Sequence, residues 1–137
     1  MVNDISLDER KARAAELHKQ GYNCAQSVIL AFPEIAENES EPLIAALTAG
    51  FGGGVCASGE ICGVASALAV ASGLRLWKAP ADKKNVYAEG RALIKKFEQN
   101  NGYLRCRDLK KAANPPRPCP DLISDGVAIL AEYLAGN

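Results

Sequence analysis

The chain has no net charge: 16 lysines and arginines balance 16 aspartates and glutamates over 137 residues. No global field steers nucleic acid, an anionic membrane or a highly charged substrate, so the expected partners are small molecules or other proteins. His18 is the single histidine, set among charged neighbours, and no Cys-x-x-Cys-His occurs, which excludes covalent c-type haem attachment. The longest apolar stretch, Ile61 to Leu74, falls short of the roughly 20 residues a bilayer requires, and Glu60 and Arg75 flank it. Membrane insertion is therefore not expected. The N-terminal stretch MVNDISLDERKARAAEL is charged from Asp4 onward and lacks the apolar core of a secretory signal, so a cytoplasmic location is expected. No segment alternates with period two, and no internal repeat is evident.

What is present is helical patterning, and the expectation is one all-α domain over residues 1–137, a compact bundle of about five to six helices. Ser6-Leu7-Asp8-Glu9 is a capping box opening a first helix that ends near Gly21. Asn23 has the side chain to cap a second helix, Cys24 to Phe32, which Pro33 closes. After a polar connector from Glu34 to Glu41, Pro42 suits a helix start, and Leu43, Ile44, Leu47 and Phe51 form its apolar face. Gly52-Gly53-Gly54 breaks that helix. From Ile61 to Gly73 nearly every position is apolar and small, the pattern of a central helix approached closely on several sides. A long amphipathic helix runs from Ala81 to about Asn100, a short turn or helix follows Arg105, and a last helix covers Asp121 to Leu134 after the proline-rich segment 113–120.

Five cysteines stand out against this plain background. A chain of this length can bury a core without disulfide staples, and reducing compartments favour catalytic, redox-active or metal-binding roles for thiols over a permanent framework. Cys24 and Cys62 fall near helix starts, Cys119 just before one, and Cys106 between two arginines. Helix starts offer unpaired N–H groups and the positive end of the dipole, which stabilise a thiolate. Cys62, after the glycine turn, is the thiol expected to be most acidic. The four lie far apart along the chain, unlike a zinc knuckle with its Cys-x2-Cys pairs, so only the tertiary fold can assemble them.

These residues resemble a known family, the redox-active proteins named for a C_GCAxxG_C_C pattern. The resemblance rests on Gly21-Tyr22-Asn23-Cys24-Ala25, on Phe51-Gly52-Gly53-Gly54 leading to Cys62-Gly63, on Gly102-Tyr103-Leu104-Arg105-Cys106 and on Cys119 before the closing helix. The signature reads Cys62-Gly63-Val64-Ala65-Ser66-Ala67, with valine for the usual alanine and alanine for the last glycine. Some relatives are named after split-Soret cytochromes, whose related region is thought to hold an iron–sulfur centre. The resemblance implies a redox-active site built from Cys24, Cys62, Cys106 and Cys119, with Cys56 extra to the pattern.

Two chemistries compete for such a site. Four thiolates suit an iron–sulfur cluster, with tetrahedral zinc a lesser candidate and haem none, and the four cysteines would then be the metal ligands. Alternatively the same cysteines act as catalytic thiols in exchange with a disulfide, one attacking and another resolving. Either serves an unidentified redox partner, protein or small molecule. A structural zinc module, or a helical interaction protein with incidental buried thiols, are the non-redox alternatives. Arg105 and Arg107 flank Cys106, where solvated arginines on a turn are the default reading and stabilisation of a Cys106 thiolate is the alternative, and Glu60 is placed to stabilise the start of the central helix. Gly52-Gly53-Gly54 reads better as a close-packing turn than as a phosphate loop, since no Lys-Ser/Thr follows.

Overall fold

A computed structural model describes residues 5–36 and 40–136. Residues 1–4, at the head of the charged N-terminal stretch, residues 37–39 of the polar connector, and residue 137 lie outside the described residues. The described residues form seven α-helices: α1 (Leu7–Lys19), α2 (Cys24–Ile29), α3 (Glu41–Thr48), α4 (Gly63–Leu76), α5 (Lys83–Asn101), α6 (Cys106–Lys111) and α7 (Cys119–Ala135). Short 3-10 turns cover Pro33–Ala36, Ala49–Phe51 and Pro80–Asp82. The all-α class is as expected, and the helix count rises to seven because the segment after Arg105 closes a full six-residue helix.

Local chemistry explains most of the boundaries. Ser6 accepts from the Glu9 N–H at 3.1 Å while the Glu9 carboxylate accepts from the Ser6 N–H at 3.2 Å, the reciprocal capping that opens α1. Asn23 and Gln26 repeat the arrangement at the start of α2, each bond 2.9 Å long. Gly102 ends α5 in the left-handed conformation, φ 87°. Two starts differ from the sequence expectation. Ile61 is held outside α4 by an antiparallel bridge to Arg105, and α7 begins two residues early, at Cys119. Both shifts place a cysteine at the helix start itself.

The central helix is α4, which packs on α5, α2 and α7, while α1 lies along α7. Val64, Ala65, Ala67 and Leu68 are wholly inaccessible, as the small-residue pattern predicts. They join Phe97 of α5 and Leu130 of α7, and each fully buried large side chain contributes about 1.5–3 kcal/mol. Gly126 lets α7 cross α4 closely, since a Cβ there would lie 2.3 Å from Val64 Cγ1. At one end of the bundle, buried Asn101 donates to Asp125 of α7 at 2.8 Å and accepts from Arg117 Nε at 3.1 Å. The Arg117 N–H donates to Leu109 O at 2.8 Å. These bonds hold the proline-rich connector against α6 and so fix where Cys119 begins α7.

Candidate thiol site

All four cysteines occupy helix starts: Cys24, Cys106 and Cys119 are the first residues of α2, α6 and α7, and Cys62 is the residue that precedes α4. Cys24 and Cys62 are buried in the core, 8% and 3% exposed, and the Cys24 sulfur lies against Gly63, the residue that follows Cys62. Gly63 makes this contact possible. A Cβ at Gly63 would lie 2.5 Å from Cys24 Sγ and 2.7 Å from Phe51 O, so only glycine lets the first turn of α4 settle onto the thiol.

The glycine turn supplies the anion binding at Cys24. Its Sγ draws on the Cys62 thiol first and on the backbone N–H groups of Gly53, Ala25 and Cys24 itself, which together outweigh burial and bring its pKa down to about 6. The Cys62 thiol moves the other way. It faces the Cys24 sulfur, is more deeply buried and feels the Cys24 charge, and all three hold its proton on. The expectation that Cys62 is the most acidic thiol is therefore corrected. Backbone N–H groups favour both thiolates, those of Val64 and Ala65 at Cys62 and those of Gly53 and Ala25 at Cys24, but at Cys62 they are outweighed by the facing Cys24 sulfur and by deeper burial.

The turn between Phe51 and Ile61 has an unusual backbone. Gly53, Gly54, Val55, Cys56 and Ala57 all have positive φ, from 50° to 77°. The three non-glycine residues each cost about 1–2 kcal/mol in that conformation. The run is held by N–H groups of Cys56, Ala57, Gly59 and Glu60 donating to Gly50, Gly52, Gly53 and Gly54 carbonyls, at 2.7–3.0 Å. Cys56 is exposed on this turn with its sulfur against Gly50.

Cys106 and Cys119, at the starts of α6 and α7, are shallower, both half-buried. The Cys106 N–H donates to Glu60 O at 2.7 Å and the Cys62 N–H to Leu104 O at 2.8 Å, so the Ile61–Arg105 bridge fastens the start of α6 beside that of α4. Burial raises the Cys106 pKa, Lys110 opposes it, and the charges of Cys119 and Cys24 add to the rise. Lys110 lies one helical turn from Cys106, within hydrogen-bonding reach of the Cys119 sulfur, and the thiolate charges of Cys119, Cys106 and Cys24 raise its pKa. Sequence reasoning missed this lysine. The signal was Cys106-x-x-x-Lys110, legible only once α6 is known to be a helix.

The arginines that flank Cys106 serve the turn. Arg107 donates to Glu60 Oε2 at 2.6 Å, to Gly59 O at 3.2 Å and to Ser58 O at 3.3 Å, and Arg105 lies 3.7 Å from Glu60 Oε1. Glu60 is thus the anchor of a surface ion cluster rather than a charge stabilising α4. Glu89 accepts the Tyr133 hydroxyl at 2.6 Å.

Charge coupling therefore runs from Cys62 to Cys24, from Cys24 to Cys106 and from Cys106 to Cys119. Among the described residues no three Cys, His, Asp or Glu side chains are grouped so as to hold a metal ion. Among the same residues no helix is long and apolar enough to cross a membrane.

An all-α bundle with four thiols at helix starts defines the class of protein. The family model described as "Putative redox-active protein (C_GCAxxG_C_C)" matches residues 22–133, a span that holds all four cysteines, and the chain belongs to that family. It is also 28% identical over 142 aligned residues to an uncharacterized protein of Archaeoglobus fulgidus, covering 93% of this chain and 94% of that one. No solved structure matches it.

Proposed function

We propose that this redox-active protein works by thiol–disulfide exchange in the cytoplasm, with Cys24 as the attacking thiolate and Cys62 as the resolving thiol, serving a redox partner that presents a disulfide. The observation that carries this reading is the burial of both thiols at the first turn of α4, with the Cys24 sulfur against Gly63, the residue after Cys62. Each thiol then acts on the other: the Cys24 pKa falls to about 6 and the Cys62 proton is held on, so one is a nucleophile near neutral pH and the other is the neighbouring thiol that resolves it. Attack of the Cys24 thiolate on a disulfide forms a mixed disulfide and releases one partner thiolate. Cys62, losing its proton to solvent or to that leaving thiolate, then attacks Cys24 Sγ, forms the Cys24–Cys62 disulfide and releases the second partner thiol. Two electrons pass to the partner, and a cellular dithiol reverses the steps.

Anaerobically purified protein, assayed for iron and zinc and then equilibrated with oxidised glutathione, tests this. The expected result is no stoichiometric metal and a Cys24–Cys62 disulfide in the peptide map. Stoichiometric iron with sulfide, lost on replacing any one of the four cysteines by serine, would put a cluster in place of exchange.

A further inference from the structure

Cys24 and Cys62 are 8% and 3% exposed, too deep for a bulky disulfide to meet directly, whereas Cys106 and Cys119 are half-buried. The Ile61–Arg105 bridge fastens the outer pair beside the inner one, and the Arg117–Leu109 bond brings the start of α7 against α6, where Lys110 reaches the Cys119 sulfur. We propose that Cys106 and Cys119 are an outer dithiol that meets the substrate disulfide first and passes the oxidation inward to Cys24 and Cys62. The proposal rests on the exchange reading above and adds to it the route by which a substrate reaches the buried pair.

The steps balance at sulfur. The Cys119 thiolate attacks one substrate sulfur and the other leaves as thiolate. Cys106 attacks Cys119 Sγ, releasing the second substrate thiolate and closing a Cys106–Cys119 disulfide. Cys24 then attacks Cys106 Sγ, and Cys119 leaves as a thiolate again. Finally Cys62 attacks Cys24 Sγ and frees Cys106. The substrate has gained two electrons and the inner pair has lost them; the one proton the inner pair held passes to solvent, and solvent supplies the two protons of the substrate thiols. The acidic, deeply held inner pair is the store, and the outer pair is the contact.

The test is a quenched time course on the full, reduced chain with limiting oxidised glutathione, stopped with acid and mapped by mass spectrometry. A glutathione adduct on Cys119 or the Cys106–Cys119 disulfide should precede the Cys24–Cys62 disulfide, and Cys24→Ser should make the outer disulfide accumulate. In the double variant Cys106→Ser/Cys119→Ser the inner pair should oxidise at least about tenfold more slowly, as direct attack on a buried thiol requires. Inner oxidation at the wild-type rate in that variant would overturn the relay and leave the exchange reading standing. Failure of any Cys24–Cys62 disulfide to form in the wild type would instead remove the exchange reading itself. Cys119→Ser alone keeps the test sharp if the double variant does not fold: it should also slow inner oxidation, and inner oxidation at the wild-type rate in that variant would overturn the relay.

Discussion

The two cysteine pairs use the same local device and arrive at different chemistry. Cys24 and Cys62 meet under the first turn of α4, where water is excluded, a glycine removes the intervening Cβ and one sulfur loses its proton near neutral pH while the other keeps it. Cys106 and Cys119 are half-buried at the starts of α6 and α7, and at Cys106 burial raises the pKa against the opposing charge of Lys110. A helix start alone therefore does not set the acidity of a thiol. The groups that face the sulfur decide it, a second thiol and backbone amides at Cys24 and burial at Cys106.

The largest expected effect comes from closing the gap that the inner pair depends on. Gly63→Ala places a methyl group 2.5 Å from Cys24 Sγ and 2.7 Å from a backbone oxygen that cannot retreat, so α2 and α4 must part. Overpacking of this kind costs about 1–3 kcal/mol, more than the gain from replacing glycine in a helix, and thermal denaturation should show a lower midpoint. The same substitution should raise the Cys24 pKa as the sulfurs separate, while leaving the reaction of Cys106 and Cys119 with a disulfide intact.

Next comes Cys62→Ala, which removes the first cause of the Cys24 shift. Ultraviolet titration of the thiolate should find a midpoint near 6 in the wild type and a clearly higher one in the variant, towards the ordinary thiol value of about 8.5. The sign for stability follows. Because the folded protein depresses the Cys24 pKa, reduced wild type should gain stability from this group as pH rises from about 6 towards the ordinary thiol range, and lose it as pH falls through 6. A variant that titrates like wild type would place the stabilisation in the backbone amides alone.

How far the inner and outer pairs could be foreseen differs for physical reasons. The capping residues Ser6 and Asn23, the terminator Gly102 and the small-residue run of α4 act locally, through neighbours three or four positions away, and so were legible. The helix-start setting of the four cysteines was legible on the same grounds. Which inner thiol loses its proton was not, because it depends on Gly53 and Cys62 reaching Cys24 across the fold. Nor was the left-handed run through Val55, Cys56 and Ala57, where hydrogen bonds to four earlier carbonyls override intrinsic preference. Arg105 and Arg107 were adjacent to Cys106 in sequence but are turned by Glu60 towards the turn, while Lys110, a turn further on, faces the sulfurs.

Smaller effects sharpen the same contrast. Arg107→Ala breaks an exposed ion pair whose two side chains are each 48% accessible, so it should cost no more than about 1 kcal/mol in chemical denaturation. It should also leave the Cys24 titration in place, since no charge of Arg107 enters its causes. Smallest of all is Cys56→Ser. Cys56 is exposed, and the substitution should change stability by within about 0.5 kcal/mol and leave the inner disulfide forming at the wild-type rate. A large loss of either would bring the strained turn into the chemistry.

The central claim, that Cys24 and Cys62 cycle as a two-electron pair, is tested most directly by equilibrating the protein across glutathione redox buffers under anaerobic conditions and measuring the mapped Cys24–Cys62 disulfide. The account predicts a reversible transition with a two-electron slope of about 30 mV per tenfold change, abolished by Cys62→Ala. A one-electron slope of about 59 mV accompanied by bound iron, or two thiols that stay reduced across the whole range, would contradict it.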